Sequence, residues 1–342
     1  MYTIKNTETN NEKASDYETF SLLYLLGIRR DNEDIDIVLI DCFNDVTGAD
    51  ENVSQLWDVQ SKGYKKNTPL KIGENLVTLY ANFLSDFPFS HLILFFETVN
   101  SIHVTDDKKQ VFKLQNFTNN SKKKIFQGLE KEVERRRKSA LFESSTKLKM
   151  DEFLDKVDFV ICTKDKVSNV KNLIKFENLE RHADELFLDM FKEIRDMQSS
   201  LKNINAENQR LTTPRDVLLL KKYISRNQII TLVINRLVGI KLFNNLSVPI
   251  NFSSYINSKS TEEIKDMVQD CNSSLCRTFF DKNNKVHVWR LLEFTIKQIV
   301  GNASRNVEGL FILIPEGLRK KVKTLDDTSM KFFIARVKDG LA

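Results

Sequence analysis

The chain has 342 residues, which is enough for two domains of ordinary size. Hydrophobic residues make up 41% and charged residues 29%, so the chain can bury a core and is not a disordered tail. The net charge of +5, from 52 basic and 47 acidic residues, excludes a histone-like composition. Any contact with nucleic acid must therefore come from local basic patches.

The sequence predicts a cytoplasmic protein without a membrane segment. No stretch approaches the roughly 18 consecutive apolar residues of a membrane helix, and the polar N-terminus has no apolar export segment. Four cysteines are too few for a disulfide framework in a chain of this length. We expect them to be reduced thiols.

Helix and strand patterns alternate in the first half of the chain. Residues 16–28 have the apolar spacing of a helix, and residues 34–42 are rich in the Ile and Val of a strand. The stretch 43–52 contains Asn, Asp and Gly and predicts a loop. A second strand is predicted from about residue 53 to residue 62.

The same alternation continues to about residue 165. A helix is predicted over 70–86, a long charged helix over 122–148, and a short buried strand over 158–162. The near-continuous apolar run at 91–97 is typical of a central strand that is covered on both faces. These elements predict an α/β domain over residues 1–165, with a mixed sheet flanked by helices.

Helical patterning dominates from residue 166 onward, so we expect a mainly α-helical domain over residues 166–342. A short strand is predicted at 310–314. One apolar seam has the spacing of a helix that packs against another helix, within the chain or in a second copy. Its residues are Leu186, Met190, Ile194, Met197, Leu201 and Ile204.

The candidate chemistry lies in the first two predicted strands. Asp36 lies in the first strand, and Gln60 and Lys62 lie near the end of the second. Residues two apart on a strand share a face, so Gln60, Lys62 and Asp58 point to one side. If the two strands pair as a hairpin, Asp36 converges with them, and Glu18 on the preceding helix can reach the same place.

These residue types suit metal-dependent hydrolysis of a phosphodiester. Mg²⁺ or Mn²⁺ takes oxygen ligands, which Asp36, the Gln60 amide and the Ser61 carbonyl can supply. The bound metal neutralises charge and produces hydroxide at neutral pH. Lys62 can orient the attacking water and stabilise the transition state. Glu18 can hold a second ion or a metal-bound water.

Each residue also has a simpler interpretation. Asp36 can be a strand-end residue that faces solvent, and Lys62 can be an exposed strand-end lysine. Glu18 can be a first-turn acid that the helix dipole stabilises. Asp34 can take the place of Asp36 because the two share a face; we favour Asp36 because it is embedded in the apolar strand.

Glu18, Asp36 and the run Gln60-Ser61-Lys62 together resemble the PD-(D/E)xK, restriction-endonuclease-like family in its QxK variety. The order of YETFSLLYLL, NEDIDIVLI, DVQSK and HLILFFET is similar to the double-stranded-DNA endonuclease domain of bacterial anti-phage effectors. These effectors include CBASS-associated and Lamassu-type nucleases. The resemblance covers roughly residues 14–165.

The resemblance implies a metal-dependent endonuclease that cuts duplex DNA and is held in check within a defence complex. No GxxxxGK[ST] loop occurs in the chain, so we hypothesise a partner ATPase of the SMC-like or HerA-like kind. A homo-oligomer stays open. The alternative is a catalytically inactive nuclease-fold subunit that binds DNA or scaffolds the complex. Gln60 stands where an acid is usual, which gives this alternative its weight.

Basic residues predict a DNA-contacting surface. One helix carries a basic cluster at each end, and a second pair follows the proposed site; these residues can bind phosphates along a duplex. They are Lys122, Lys123, Lys124, Arg135, Arg136, Lys65 and Lys66. The alternative for the helix is a solvated face that Glu130, Glu132 and Glu134 already neutralise in part.

Overall fold

The structure, a computed structural model, describes residues 1–4, 12–63, 67–137, 140–179, 182–243 and 246–342. The chain divides into two compact units. The first comprises Met1–Asn172 and Phe191–Arg226, and the second comprises Leu173–Met190 and Asn227–Ala342. This division differs from the boundary predicted at residue 165, because later segments of the chain, including a strand of the main sheet, belong to the first unit.

The first unit is an α/β structure, as predicted. Its strands are β1 (Tyr2–Thr3), β2 (Ile37–Ile40), β3 (Val46–Ala49), β4 (Leu56–Lys62), β5 (Phe89–Phe96), β6 (Val111–Phe112), β7 (Val157–Ile161), β8 (Arg210–Leu211) and β9 (Tyr223–Ser225). In the described part of the chain, β1 pairs with β8, and the other seven form a mixed sheet in the order β6-β7-β5-β4-β3-β2-β9. In this sheet β5 runs parallel to β4 and β7, and the remaining pairs are antiparallel.

Strand β3 occupies a stretch that the sequence predicted to be a loop. The loop prediction was wrong for residues 46–49, which form the strand. It rested on Asn44, Asp45, Gly48 and Asp50, which are residue types common in turns. Gly48 lies inside the strand, where a Cβ atom would come within 3.1 Å of Ile35 Cγ2. Glycine is therefore needed at this position because the neighbouring side chains pack closely against the strand, and not because the chain turns there.

Helices cover both faces of the sheet. In the first unit they are α1 (Glu12–Leu23), α2 (Pro69–Asn75), α3 (Val77–Phe83), α4 (Asn119–Arg135), α5 (Ala140–Glu143), α6 (Lys147–Lys156), α7 (Lys166–Lys171) and the C-terminal part of α8 (Asp184–Lys202). Helix α1 continues as a wider π turn, Tyr24–Ile28. Short 3-10 turns span Asn32–Asp34, Ser101–His103, Leu114–Asn116 and Pro214–Leu220.

Alternate residues of β5 pack against different helices. The ring of Phe95 lies 5.8 Å from that of Tyr24, in the turn that follows α1. Leu94 and Phe96 instead join a core cluster with residues of α3 and α4. Both sides of the central strand are therefore buried, as the continuous apolar run predicted.

Two predicted helices are divided in the structure. The predicted helix 70–86 is α2 and α3 with a break at Leu76, and the predicted helix 122–148 ends as α4 at Arg135. Helices α2 and α4 cross closely, since a Cβ on Gly73 would lie 2.0 Å from the carbonyl oxygen of Ile125. A Cβ on Gly128 would meet the Leu70 carbonyl at 2.1 Å, so this crossing requires glycine on both helices.

The second unit is helical in its described residues. Its main helices are α9 (Arg226–Val238), α10 (Thr261–Phe280), α11 (Lys285–Gly301), α12 (Val307–Leu313), α13 (Glu316–Arg319) and α14 (Asp327–Leu341), with a 3-10 turn at Ile250–Tyr255. The strand predicted at 310–314 was wrong, because this run belongs to α12, which the Asn306 side chain caps. A five-residue apolar run does not distinguish strand from helix. No helix among the described residues has both the length and the apolar character to cross a membrane.

Candidate active site

Asp36 does not lie beside Gln60 and Lys62. Strand β3 stands between β2 and β4, and Ile37 pairs with Ala49, which pairs with Leu56. Asp36 is therefore level with the residue before Leu56 and lies five residues along the strand direction from Gln60, or roughly 16 Å. The predicted convergence of Asp36 with the Gln60 pair is wrong, because the first two predicted strands are not neighbours.

Asp36 has a local structural role instead. Its Oδ2 accepts a hydrogen bond from the backbone N–H of Glu51 at 3.0 Å, and its own N–H donates to the Ala49 carbonyl at 2.9 Å. The alternative acid, Asp34, ends a 3-10 turn and is exposed. Neither residue lies at the end of the sheet where β4 places Gln60.

Asp45 is the acid that meets Gln60. It closes the β2–β3 turn, where its carbonyl accepts a hydrogen bond from Asp41 N–H at 3.2 Å. Because Val46 pairs with Val59, Asp45 is level with Gln60 on the neighbouring strand. Asp45 Oδ2 accepts from Gln60 Nε2 at 2.7 Å, from Ser61 N–H at 2.6 Å and from Ser61 Oγ at 2.8 Å. A carboxylate and the QxK run thus lie together at the C-terminal end of β4, on the edge of the sheet that the strand ends form.

The amide of Gln60 is oriented from both ends. Its nitrogen donates to Asp45, and its oxygen accepts from Thr78 Oγ1 of α3 at 2.6 Å. Gln60 is 4% exposed, and Asp45 is 8% exposed. Both side chains of the pair are therefore almost completely buried, with a small part of each at the surface.

Asp58 lies two residues before Gln60 on the same face of β4, and it is fully buried. Its Oδ2 accepts from Asn44 Nδ2 at 2.5 Å and from Asn82 Nδ2 at 2.7 Å, and its Oδ1 accepts from Thr47 Oγ1 at 2.9 Å. Burial, with a smaller contribution from the nearby charge of Asp45, raises the pKa of Asp58 to about 7 against the lowering effect of these three hydrogen bonds.

Lys62 is the last residue of β4 and lies at the same edge of the sheet. It is partly buried and pairs in register with Phe96 of β5. Gly63 follows, where a Cβ would lie 2.7 Å from the Tyr17 ring of α1. The chain therefore passes closely under α1 directly after Lys62.

Glu97 comes directly after β5 at this edge, and the sequence analysis missed it. Its carboxylate accepts from Tyr17 Oη at 2.5 Å and pairs with Lys164. Burial, followed by the hydrogen bond to Glu97, raises the pKa of Tyr17 to about 12. The signal was available, because a lone acid that follows a continuous apolar strand lies at the end of that strand.

Glu18 is buried and ion-paired in the structure. Its carboxylate lies 2.5 Å from Lys202 Nζ and accepts from Gln198 Nε2 at 3.2 Å, both on α8. The interpretation of Glu18 as a first-turn acid is wrong, because α1 begins at Glu12. Glu18 instead joins α1 to α8 within the first unit. The role predicted for it at a metal requires this ion pair to be shared or exchanged.

The predicted basic surface has two different parts. Lys122, Lys123 and Lys124 lie in the first turns of α4 and have no ion pair within the described residues. Arg135 donates twice to Glu132, and Arg136 lies 3.7 Å from the same carboxylate. The lysines are therefore available to phosphate, whereas the arginines are partly neutralised on their own helix.

Lys65 and Lys66, which the sequence analysis assigned to backbone contacts with DNA, lie outside the described residues.

Two side chains at this place could supply oxygen ligands to one Mg²⁺. Mg²⁺ is held in proteins by one or two carboxylates and keeps several waters. Asp45 supplies the carboxylate, and the Gln60 amide supplies an oxygen once its nitrogen and oxygen exchange places. No group of three or more His, Cys, Asp or Glu side chains with metal-ligand geometry occurs among the described residues. A site here would therefore be poor in charge.

Asp45 was missed because its environment in the sequence indicated a turn. The motif Asn44-Asp45 is followed by two β-branched residues, Val46 and Thr47, and this is the one local signal for a strand. Recognising β3 would have placed Asp45, and not Asp36, opposite Gln60.

Comparison of the chain with protein-family models, with curated proteins and with solved structures gives no match. The geometry at the edge of the sheet is therefore the basis for assigning a function.

Proposed function

We propose that the first unit is a metal-dependent DNA endonuclease of restriction-endonuclease-like fold, with Asp45, Gln60 and Lys62 as its active-site residues. The observation that carries the proposal is the contact of the Asp45 carboxylate with Gln60 and Ser61, directly before Lys62 at the same sheet edge. Asp45 thereby takes the position that the sequence analysis gave to Asp36.

The order of elements supports this proposal. Helix α1 precedes an antiparallel unit of β2, β3 and β4, and α2 and α3 then connect β4 to the parallel strand β5. A helical crossover of this kind places β4 and β5 side by side, with their carboxyl ends at one edge of the sheet. Gln60, Lys62 and Glu97 all lie near those ends.

Each residue has a distinct role in the proposed reaction. Asp45 and Gln60 would hold Mg²⁺, which supplies an activated water and neutralises charge on the phosphate. Lys62 would stabilise the negative charge that develops on the phosphate oxygens. Ser61 holds the carboxylate of Asp45, and Thr78 holds the amide of Gln60. Once the amide nitrogen and oxygen exchange places, the Thr78 hydroxyl would accept from Gln60 Nε2 and keep the amide oriented toward the metal.

The test is plasmid cleavage with Mg²⁺ or Mn²⁺ by the full chain. We expect Lys62→Ala to lower the cleavage rate by about 10²–10³-fold, the typical loss on removing a charge-stabilising group. Lys108→Ala is the matched control, because Lys108 is an exposed lysine of the same unit. Equal rates for the two variants and the wild-type protein would overturn the assignment of Lys62.

A second candidate function is a catalytically inactive nuclease fold that binds DNA or scaffolds a complex. Two observations favour it: Gln60 presents its nitrogen to Asp45, and Lys202 neutralises Glu18. Gln60→Glu separates the candidates. If the wild-type protein is an enzyme, the added carboxylate lowers the Mg²⁺ concentration needed for cleavage. If both proteins bind DNA but neither cleaves it under any divalent ion, alone or with the partner subunits, the inactive candidate is correct.

Duplex DNA is the proposed substrate, and Lys122, Lys123 and Lys124 are the proposed phosphate contacts. The logarithm of the DNA-binding constant falls linearly with the logarithm of the salt concentration, and each phosphate contact contributes about 0.9 to the steepness of this slope for B-DNA. We expect replacement of all three lysines by alanine to reduce the steepness of the slope by about 2–3. Double replacement of Arg135 and Arg136 by Ala should change the slope less, because Glu132 already binds both guanidinium groups. Equal effects would contradict this division.

An unrestrained nuclease would damage host DNA, so we also propose that the chain acts within an anti-phage defence complex. The hypothesised partner is an ATPase of the SMC-like or HerA-like kind, since the sequence has no phosphate-binding GxxxxGK[ST] loop. Full cleavage activity in the isolated chain, equal to that of any assembly, would refute the proposed restraint.

A further inference from the structure

The second unit contains a cavity of about 720 Å³. Its walls come from residues 176–178, from His182, from α11, from the region of α13 and from the ends of α9 and α14. All these segments belong to the second unit. Small-molecule sites in proteins have volumes of about 300–1,000 Å³, so the cavity can hold a ligand the size of a nucleotide.

One face of α11 forms a wall with alternating charge and apolar surface. His287, Arg290, Phe294 and Lys297 follow one another at spacings of three and four residues, and each lines the cavity. Residues at these spacings share a helix face. The cavity therefore presents cations and an aromatic ring along one line.

The cavity has an excess of positive charge. The carboxylate of Glu293 accepts hydrogen bonds from the backbone N–H groups of Glu177 and Asn178 at 2.9 and 2.8 Å. The other carboxylate, Glu177, lies 3.4 Å from Arg290 Nη2. Lys297 and Lys321 line the cavity and have no ion pair among the described residues. Two cationic groups are thus available to an anionic ligand.

Aromatic rings line the same cavity. Phe176 packs edge-on against Trp289 with ring centroids 5.6 Å apart, and its ring lies 6.3 Å from that of His182. Phe294 contributes a ring from α11. The Nδ1 atom of His287 is buried and has no hydrogen-bond partner among the described residues. Planar aromatic groups stack favourably on such rings.

We propose that this cavity binds a small molecule that combines a planar aromatic ring with an anionic group, of the size of a nucleoside monophosphate. The ring would pack against Phe176 and Phe294, and the anionic group would contact Lys297 and Lys321. An anionic group is favoured because both lysines are exposed at the cavity wall, where their ammonium groups can form charge-assisted hydrogen bonds with it. The site is separate from the proposed nuclease centre and does not depend on it.

Binding is measured by titration calorimetry of the full chain with the four ribonucleoside 5′-monophosphates. The four nucleosides and inorganic phosphate are the comparison ligands. We expect at least one monophosphate to bind at least tenfold more tightly than both its nucleoside and phosphate. Absence of binding by all four monophosphates at millimolar concentration and low salt would overturn the proposal, and equal binding by phosphate alone would overturn its aromatic part.

Two glycines provide a matched pair of variants. A Cβ on Gly317 or on Gly301 meets no atom within 4 Å, but only Gly317 lines the cavity. We expect Gly317→Phe to weaken binding of the monophosphate at least tenfold and Gly301→Phe to leave it unchanged. Equal loss in both variants would show that the effect does not come from filling the cavity.

A charge reversal tests the anionic part independently. Lys297→Glu should weaken binding of the monophosphate at least tenfold, while the affinity for the corresponding nucleoside should change less than threefold. Lys323→Glu is the control, because Lys323 is exposed and does not line the cavity. Unchanged binding by the Lys297 variant would overturn the role of this lysine. DNA cleavage measured on the same variants shows whether the nuclease proposal holds regardless of the result.

Discussion

Asp45 and Asp58 are two buried carboxylates near one strand, and each accepts at least three hydrogen bonds. They differ in position and in the source of their donors. Asp58 is fully buried between strands and α3, and its donors are three side chains that converge from β3, α3 and the preceding turn. Asp45 lies at the edge of the sheet, and its donors come from two consecutive residues of β4.

This difference indicates a division of roles. Asp58 is surrounded by donors on both oxygens, so it joins β3, β4 and α3 and cannot reach a substrate. Asp45 receives all three of these bonds on Oδ2, which orients the carboxylate at the surface edge of the sheet. A dense set of hydrogen bonds therefore does not by itself distinguish a catalytic acid from a structural one; under the proposed function, the distinguishing feature of Asp45 is its position beside the C-terminal end of β4.

The largest expected effect on stability comes from removing the interior acid. Asp58→Ala leaves Asn44, Thr47 and Asn82 without their acceptor in a buried site. Each buried donor that loses its partner costs about 1–3 kcal/mol, so we expect the free energy of unfolding to fall by roughly 3 kcal/mol or more. Urea denaturation measures this loss. A change below about 1 kcal/mol would show that Asp58 does not organise this part of the unit.

The pH dependence of stability tests the environment of Asp58. The pKa of Asp58 is raised from 3.8 to about 7 in the folded state. Between these values the folded protein retains a proton that the unfolded chain releases, so stability falls as pH rises from about 4 to 7. The slope from this residue is at most about 1.4 kcal/mol per pH unit.

Asp58→Asn tests this slope because its amide oxygen can accept from the two asparagines and its nitrogen can donate to Thr47. The variant should lose the contribution of Asp58 and be less destabilised above pH 7 than the alanine variant. Urea denaturation of the wild-type protein, the Asp58→Asn variant and the Asp58→Ala variant at pH 5, 6, 7 and 8 measures the free energies of unfolding to be compared. Parallel curves for wild-type and Asp58→Asn protein would contradict the raised pKa.

A smaller effect is expected one step away from Asp45. Thr78→Val removes the hydroxyl that donates to Gln60 Oε1 and leaves the shape of the side chain nearly unchanged. Loss of such a supporting bond typically lowers metal affinity by about 10–100-fold. We expect a shift of about tenfold in the Mg²⁺ concentration that gives half-maximal cleavage. Thr47→Val, next to Asp58, should leave that concentration unchanged.

The sequence was sufficient where a pattern was long and unambiguous. The strand β5 and the strand that ends in Lys62 were both predicted. For β5 the reason is its continuous apolar run, which is typical of a strand that is buried on both faces. The general α/β class of the first unit followed from them. The helix at 16–28 was also found, as α1 with its π turn.

The site was predicted only in part because its acid depends on a strand with no clear pattern. Strand β3 has four residues, one of which is Gly48, and it follows the turn residues Asn44 and Asp45. Because β3 was not predicted, the strand of Asp36 was wrongly expected to pair directly with the strand of Gln60. The pairing partners of Glu18 and Glu97 depend on contacts with distant segments, which one sequence does not specify.

The most direct test of the account compares Asp45→Asn with Asp36→Asn in metal-dependent DNA cleavage by the full chain. Both changes remove one charge and retain the shape of the side chain. We predict that Asp45→Asn lowers the cleavage rate by about 10²-fold or more, since it removes the carboxylate proposed to hold the metal, while Asp36→Asn remains within about threefold of wild type. Loss of activity in the Asp36 variant with retention in the Asp45 variant would contradict the account.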